Sequence, residues 1–406
     1  MTNKAAVYRS GNSKRRIVHI ITGLRRGGAE ANLYRLICAT RDSWDATVIS
    51  LADEGFYGGP LRSLGVSVLC CRMNEAGQAV PGFVRLLRFV RHSRADVVQT
   101  WMYHADLLGG VAARLLGFDA VLWAIRNLRF NPGRRSWSAR AACWLCARLS
   151  KTMPVAIVSC STEAAIEHRR RGYAGNKLLV IPNGYDCARL CPDKPAGQRV
   201  RSAWGIFPTQ FLVGMVARWD PLKDHANLLA GLQSLAREHD HVRCALIGPG
   251  MHEGNRALSQ LLQRYALRSK VVLAGPRDDI GAVMNALDLH VLSSLSEAFP
   301  NVVAEAMACG TPCVVTDVGD ASVIVGDQGW RVPAGDPAAL YQAMRAAMAR
   351  LASGEAESLR TACRQRILQN FSQEKMAAAY EDAWSKAIGS GRTTLSAQPG
   401  GDDAGG

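Results

Sequence analysis

The chain has 406 residues, of which 48% are hydrophobic and 20% are charged, and this balance is typical of globular proteins. Its net charge of +15 suits an acidic partner. Its length predicts two domains, and its composition excludes a disordered chain, a collagen and a small disulfide scaffold. No stretch of about 18 residues is free of charge, and the first apolar run is too short for a signal peptide, so we expect a cytoplasmic protein with reduced cysteines.

Short apolar runs alternate with helical patterns along the first half of the chain. The predicted strands are residues 17–22, 46–51, 66–71, 97–101, 121–125, 155–160 and 178–181, and the predicted helices are 29–38, 83–92, 105–116, 136–150 and 162–171. The runs are rich in Val, Ile and Leu without clean polar alternation, which is typical of strands buried on both faces. Repetition of strand and helix predicts a parallel sheet covered by helices.

The second half repeats this scheme. Its predicted strands are residues 211–216, 243–247, 271–274, 289–292 and 312–316, and three helices follow at 337–351, 355–369 and 373–386. The stretch 187–198 holds two prolines and no clear periodicity, so we expect the linker there. The residues 389–406 carry almost no large apolar side chain, and we expect a disordered tail.

The predicted fold class is α/β, with two doubly wound, Rossmann-like domains facing each other across a cleft. We expect the first domain at residues 1–190, the second at 191–372, and a helix at 373–388 that returns to the first domain. Ligands of such sheets bind at the carboxyl ends of the strands, so the cleft is the expected active site. Two independent domains with no shared site are the alternative.

The segment 296–319 carries two glutamates eight positions apart. Glu297 is expected in the loop after a strand, and Glu305 in the second turn of the helix that opens near Asn301. The backbone N–H groups of Asn301 and Val302 could hold a phosphate or sugar hydroxyls. A carboxylate one turn deeper could accept both hydroxyls of a ribose. The alternative is a pair of solvated glutamates at a helix N-terminus.

This segment closely resembles the donor-binding signature of retaining glycosyltransferases of family 4 (glycosyl transferases group 1), which share the two-domain architecture called GT-B. The resemblance extends from Gly23 to about Trp384, and the glutamate segment is its specific part. It implies that Glu297 binds hydroxyls of the donor sugar and that Glu305 binds the ribose of the nucleotide.

Two cations follow the first strand of the second half. Arg218 comes just after that strand, and Lys223 lies five residues later near a helix start. Two cations at a strand's carboxyl end can hold a diphosphate, and the contacts strengthen as the leaving group gains negative charge. An isolated pair would more often lie on the surface. The family carries an Arg and a Lys at this spacing, and the resemblance therefore implies the functional role.

Further candidates follow strands of the first half. Gly27 and Gly28 let the backbone approach a ligand where the first helix begins, a position that resembles the family's glycine loop. The neighbouring Arg25 and Arg26 could reach an acceptor phosphate or remain in solvent. His104 follows the fourth strand, where the family places a His that contacts the donor sugar.

Other strand ends supply additional expectations. Arg126 and Asn127 could line the acceptor side, whereas Asn183 and Gly184 are interpreted as a structural turn. The loop 275–279 is where this fold usually places the nucleotide base.

Other chemistries lack their sequence signals. No Asp-x-Asp occurs in the chain, so the ligand pair of metal-dependent glycosyltransferases is missing, and we expect no metal and no cofactor. Cys143 and Cys146 form a Cys-x-x-Cys inside an apolar helix pattern, and we expect no zinc site there. No Walker loop occurs, and no Gly-x-Gly-x-x-Gly follows a strand.

These patterns lead to the hypothesis of a retaining glycosyltransferase that moves a sugar from a nucleotide sugar to a hydroxyl acceptor. The protein would contribute positioning and electrostatic stabilisation rather than a covalent intermediate. A sugar-nucleotide epimerase of the same fold and a basic nucleic-acid-binding protein are the alternatives. The arginines lie scattered over several helices and form no recognisable nucleic-acid-binding motif, which argues against nucleic acid as a partner.

The excess positive charge lies entirely in the first half. Residues 1–190 hold 28 basic and 12 acidic side chains, a net of +16, whereas residues 191–406 hold 21 and 22, a net of −1. The helix predicted at 83–92 has one apolar face beside Arg85, Arg88 and Arg91, and could lie on an anionic membrane, although an ordinary half-buried helix has the same pattern. We therefore expect peripheral membrane contact and a lipid-linked glycan acceptor at the inner membrane face, in the assembly of a cell-surface polysaccharide.

Overall fold

The computed structural model describes residues 14–128 and 137–395, and its strands form two parallel sheets. The first sheet consists of β1 (Arg15–Ile21), β2 (Trp44–Ser50), β3 (Ser67–Cys70), β4 (Val97–Trp101), β5 (Val121–Ile125), β6 (Ala156–Ser159) and β7 (Leu178–Val180), in the order β3-β2-β1-β4-β5-β6-β7. The second consists of β8 (Phe211–Val216), β9 (Val242–Ile247), β10 (Val271–Gly275), β11 (Leu289–Leu292), β12 (Cys313–Thr316) and β13 (Trp330–Val332), in the order β10-β9-β8-β11-β12-β13. Two sheets with a reversal of strand order confirm the predicted fold class.

Helices cover both faces of each sheet. In the first domain they are α1 (Gly28–Thr40), α2 (Gly58–Ser63), α3 (Ala79–Ser93), α4 (Tyr103–Leu115), α5 (Trp137–Leu149) and α6 (Thr162–Arg170). In the second they are α7 (Lys194–Ala203), α8 (His225–Glu238), α9 (Arg256–Arg264), α10 (Ile280–Ala286), α11 (Asn301–Ala308), α12 (Ala321–Val325), α13 (Pro337–Ala352) and α14 (Ala356–Asn370), and the chain continues into α15 (Gln373–Leu395). Each sheet therefore has a hydrophobic core on both sides, which explains why its strands show no polar alternation.

The last helix, α15, leaves the second domain and packs on the first. Tyr380 and Trp384 are buried in the core between the first sheet and α1. The Trp384 ring lies 5.1 Å from the Trp44 ring, and its Nε1 donates to Gln99 Oε1 at 3.2 Å. The chain therefore crosses between the domains twice, once before α7 and once before α15.

Two stretches expected to be irregular are partly helical. The predicted linker at 187–198 ends inside α7, because Asp193 caps the helix by accepting from Ala196 N at 2.9 Å and Pro195 suits a first turn. The predicted disordered tail begins inside α15, which continues to Leu395, since extending a helix that is already packed adds one hydrogen bond per residue. Residues 396–406 lie outside the described part of the chain.

The membrane orientation predicted for α3 is wrong for its apolar face. Leu86 and Val90 are fully buried in the core of the first sheet, so this face packs on the protein. Arg85 donates two hydrogen bonds to Cys71 O, at 3.0 and 2.6 Å, and one to Gln78 Oε1 at 2.8 Å. Arg85 is thus a structural residue. Among the helices of the described residues, none combines the length and the apolar character that crossing a membrane requires.

Candidate active site

A cavity of about 600 Å³ lies between the domains, at the carboxyl ends of the strands of both sheets. Its walls contain predicted site residues, namely Gly28, Arg218, Lys223, Glu297, Asn301 and Val302, and the further candidates Arg26, Arg126 and Asn127. The first domain contributes the start of α1 and the segment after β5, and the second contributes the segments after β8, β9, β10 and β11. One cleft therefore receives residues from both domains.

Glu297 is held in a fixed position at the wall of this cleft. Its Oε1 forms an ion pair with Lys223 Nζ and accepts from Ser294 Oγ at 2.7 Å. Gly319, from the loop after β12, supports the backbone from behind: its φ is +57°, and a Cβ there would lie 2.2 Å from Glu297 O. Only glycine fits this contact. A carboxylate and an ammonium group are thus presented together.

Arg218 has a carboxylate partner of its own. Its Nε and Nη2 lie 3.1 and 3.0 Å from Asp220 Oδ2, while Asp220 Oδ1 accepts from Leu222 N at 3.0 Å. Burial alone would raise the pKa of Asp220, but the Leu222 amide and the Arg218 guanidinium hold it below its usual range. The Arg218 side chain is 59% exposed and remains accessible to an anion in the cleft.

Glu305 lies one turn beyond Asn301, outside the residues that line the cavity. Its Oε1 is 3.6 Å from Arg35 Nη1, so the two domains meet here in a largely buried ion pair. The Arg35 guanidinium also lies over the Tyr185 ring, 4.8 Å from its centre. Burial raises the pKa of Glu305, and the charge and hydrogen bond of Arg35 oppose that rise. Arg35 was not nominated from the sequence, because its position in mid-helix carries no motif.

Asn301 joins the domains at the base of the cleft. Its Oδ1 accepts from Asn183 Nδ2 at 2.8 Å and from the Tyr185 hydroxyl at 2.6 Å, and Arg126 donates to Asn183 Oδ1. A Cβ on Gly28 would lie 3.1 Å from Asn301 Nδ2, so a larger residue would crowd this contact. The sequence predicts a structural turn at Asn183, and the structure places this residue in the cleft wall as well.

Further polar contacts connect the two domains beside the cleft. Arg26, which lines the cavity, pairs with Asp278 of the other domain at 2.7 Å. The Asp320 carboxylate accepts from the amides of Thr162 at 2.9 Å and Glu163 at 3.3 Å, and so stabilises the N-terminus of α6 from the opposite domain. Polar groups therefore hold the cleft in the arrangement seen here.

His104 is the residue that the resemblance predicts at the donor sugar. It is half-buried in the first turn of α4, outside the cavity lining, and burial lowers its pKa. Met102, two residues earlier, lines the cavity instead, with a φ of +71° that is uncommon for a residue other than glycine.

Glu30 also lines the cavity, and the sequence does not predict it as a site residue. Burial raises the pKa of Glu30, while its own backbone amide and Arg126 oppose the rise.

Gly27 stands at the N-cap of α1, with an extended backbone. A Cβ on it would lie 2.4 Å from Glu30 Oε2, which is the end of a side chain that turns back over the helix start.

All twelve cysteines are free thiols. Within residues 14–128 and 137–395, no group of three or more His, Cys, Asp and Glu side chains is placed to hold a metal ion.

Comparison with known sequences identifies the class of protein. Residues 26–189 match the family described as Glycosyltransferase Family 4, and residues 210–350 match Glycosyl transferases group 1. The chain belongs to this glycosyltransferase family, as the glutamate segment predicted. It is 27% identical over 318 residues to a putative glycosyltransferase EpsF of Bacillus subtilis, covering 75% of this chain and 80% of that one.

Two further proteins are similar over most of their length. A UDP-Gal:alpha-D-GlcNAc-diphosphoundecaprenol alpha-1,3-galactosyltransferase of Escherichia coli is 23% identical over 328 residues, which cover 78% of this chain and 83% of that one. The crystal structure of Anabaena Alr3699/HepE in complex with UDP superposes with a TM-score of 0.79 at 21% identity, covering 91% of this chain and 100% of that one. The likeness to this structure shows that the fold is GT-B.

Replacing Arg35 by Met should destabilise the protein by about 1–3 kcal/mol at pH 8, because Glu305 would lose its buried partner. Without Arg35 the folded-state pKa of Glu305 should rise further above its unfolded value. A carboxyl group with a raised folded pKa costs stability as the pH rises through that value, so the loss should be smaller at pH 5 than at pH 8. Urea unfolding at the two pH values measures both effects.

Arg41→Met, at the exposed end of the same helix, is the matched control and should change stability little. A loss in Arg35→Met that is equal at pH 5 and pH 8 would show that packing on Tyr185, and not the ion pair, is the important contact.

Proposed function

We propose that the protein is a retaining glycosyltransferase that moves a sugar from a nucleotide sugar to a hydroxyl of a lipid-linked glycan, in the assembly of a cell-surface polysaccharide. The observation that carries this proposal is the convergence of Arg218, Lys223 and Glu297 on one wall of the interdomain cavity. Two cations beside a fixed carboxylate suit a donor that has a diphosphate next to a hydroxylated ring.

The second domain would bind the donor. Arg218 and Lys223 would hold the diphosphate, and Glu297 would accept hydroxyls of the sugar. The loop after β10, whose Pro276 and Arg277 line the cavity, would hold the base. The Anabaena protein has been solved with UDP and with UDP-glucose, which supports a nucleotide-sugar donor for this chain.

Glu305 would bind the ribose through one carboxylate oxygen. Its Oε1 already faces Arg35, so the ribose would have to share this carboxylate with the arginine of the other domain. A carboxylate has several acceptor positions and can serve both partners. Donor binding and the contact between the domains would then depend on the same side chain.

The chemical step would need no nucleophile from the protein. Lys223 already neutralises Glu297, so we assign this carboxylate to holding hydroxyls rather than to attack on the sugar. The acceptor hydroxyl would approach the face from which the diphosphate leaves, and a diphosphate oxygen would take its proton. Arg218 and Lys223 would stabilise the charge that develops on the leaving group. The configuration at the sugar carbon would be retained.

The first domain would bind the acceptor. Its wall of the cavity contains Glu30, Arg126 and Asn127, which offer a carboxylate, a cation and an amide to a polar glycan. The Escherichia coli relative is named for transfer to a sugar on diphosphoundecaprenol, which supports a lipid-linked acceptor here. The basic character of this half agrees with an acceptor that carries phosphate.

The reaction itself is tested by incubating the protein with UDP-, GDP-, ADP- and dTDP-sugars, with and without a polyprenyl-diphosphate-linked sugar. A thermal-shift screen first selects the donor, since a ligand at 100 times its dissociation constant stabilises by about 2.7 kcal/mol. Proton NMR of the product then gives the anomeric configuration. Turnover of the donor alone to an epimer would favour the epimerase, and an inverted product would refute the retaining mechanism.

Glu305→Ala should weaken nucleotide binding tenfold to a hundredfold, because removing a charged hydrogen-bond partner costs roughly 1.5–3 kcal/mol. Isothermal titration with the nucleoside diphosphate measures the change. Glu357→Ala, which removes an exposed glutamate from the first turn of α14, is the control and should bind normally. Unchanged affinity in Glu305→Ala would remove this residue from the donor site.

Lys223→Ala and Arg218→Ala should lower kcat more than they weaken ground-state binding of the donor, because their charges matter most as the diphosphate departs. Steady-state kinetics with saturating acceptor separates the two constants. Lys270→Ala, which breaks a pair with Asp240 at the amino edge of the second sheet, provides the control. A rise in KM alone would mean that the two cations bind donor and transition state equally.

Activity should persist in EDTA, because Arg218, Lys223 and the N-terminus of α11 would supply the positive charge that a metal supplies elsewhere. The assay compares turnover in chelator with turnover in added manganese. Full loss with EDTA that manganese restores would show that the transferase needs a metal.

A further inference from the structure

The solvent face of α5 is unusually apolar for the surface of a monomer. Trp137 is 81% exposed, Trp144 56% and Leu145 38%. The opposite side of the helix is buried as well, with Cys143 and Cys146 in the core of the first sheet. A surface helix normally carries polar residues on its outer side, so two exposed tryptophans seven residues apart indicate that something covers this face.

The charges along α5 and directly after it are all positive. Arg140 and Arg148 lie exposed on the same side of α5, and Lys151 follows the helix. The Arg148 guanidinium stacks on the Trp144 ring at 4.2 Å from its centre. The stretch 137–151 contains no Asp or Glu. The partner should therefore be an extended surface that is both apolar and anionic.

We propose that the α5 face, formed by Trp137, Arg140, Trp144, Leu145 and Arg148, docks on an anionic lipid bilayer. Tryptophan prefers the level of the lipid headgroups, where its ring is in apolar surroundings and its N–H remains hydrated. Arginines beside the rings bind lipid phosphates, and a helix of this kind lies in the plane of the interface. The complementary charge favours a lipid surface over a second copy of this basic domain.

This surface differs from the one expected on α3. There Leu86 and Val90 pack on the first sheet and Arg85 is bonded to the backbone. Of the large apolar side chains on α3, only Val80 and Val84 are exposed, whereas on α5 two tryptophans face solvent. The excess charge of the first half alone could not distinguish these helices. The two exposed tryptophans distinguish α5 from α3.

The α5 face begins at the edge of the first sheet that borders the cleft. Strand β5 ends at Ile125, and Arg126 and Asn127 just beyond it line the cavity. Because α5 follows a strand of a parallel sheet, its first turn lies at the same edge as the cavity. Docking through Trp137 would bring the lipid surface beside the wall assigned to the acceptor. This last step rests on the proposed lipid-linked acceptor, but the docking itself does not.

The experiment uses the full chain with vesicles of phosphatidylcholine containing 30% phosphatidylglycerol, and with vesicles of phosphatidylcholine alone. We expect the wild type to sediment with the anionic vesicles at low salt. Its affinity for these vesicles should be at least tenfold lower in Trp137→Ser/Trp144→Ser and in Arg140→Gln/Arg148→Gln. Raising the salt should weaken binding of the wild type. Phe207→Ser and Arg345→Gln remove an exposed aromatic and an exposed arginine from the second domain, and should bind like the wild type.

Brominated lipids provide a second measurement, because they quench only tryptophans that enter the bilayer interface. Quenching in the wild type should disappear in Trp137→Ser/Trp144→Ser, although the buried tryptophans remain. Nucleotide affinity should be the same in all variants, which shows that they are folded.

Three results would overturn the proposal: a wild type that stays in the supernatant at low salt, a tryptophan double variant that sediments like the wild type, or a dimer that this variant converts to a monomer. Vesicle binding without transfer to a lipid-linked acceptor would refute the proposed acceptor and leave the docking surface standing.

Discussion

The parallel arrangement of both sheets determines where every functional group of this molecule can lie. All connections that leave a strand at its carboxyl end emerge at one edge, and the two such edges face each other across the cavity. Gly28 and Arg218 thus meet in one cleft although they belong to different domains. Neither sheet alone provides both walls. The site therefore depends on how the domains are joined as much as on how each domain folds.

Apart from the apolar packing of α15, the domains meet beside the cleft through polar contacts. Asn301 accepts hydrogen bonds from Asn183 and Tyr185, and Arg35 pairs with Glu305. Contacts of this kind separate more readily than an apolar core, because water can replace the partner of each group. Glu305 is important here, since the proposed ribose site and the interdomain ion pair use the same carboxylate. A donor that engages it would change the balance between the domains, so substrate binding and domain contact would be coupled without a dedicated element.

The sequence predicted much of the fold because the strands are buried on both faces and the glycines and caps stand between them. It did not predict α2 or β13, which have six and three residues and too few apolar positions to show a period. Within the site, local motifs located Glu297, Arg218 and Lys223. Arg35 and Asp320 carry no local signal, because their roles arise only when the other domain is present. His104 matches a family position and lies in the first turn of α4, two residues after the lining residue Met102.

The charge of the first half illustrates the same distinction between composition and placement. Summed over 190 residues it indicates an anionic partner, but it does not identify a surface. The burial of individual side chains identifies the surface. Helix α3 turns Leu86 and Val90 inward, whereas α5 keeps Trp137 and Trp144 in solvent beside Arg148. A transferase with a water-soluble donor and a membrane-bound acceptor needs only its acceptor domain on the lipid. The second half, with a net charge of −1, would then remain free to exchange nucleotide with the solvent while the first stays docked.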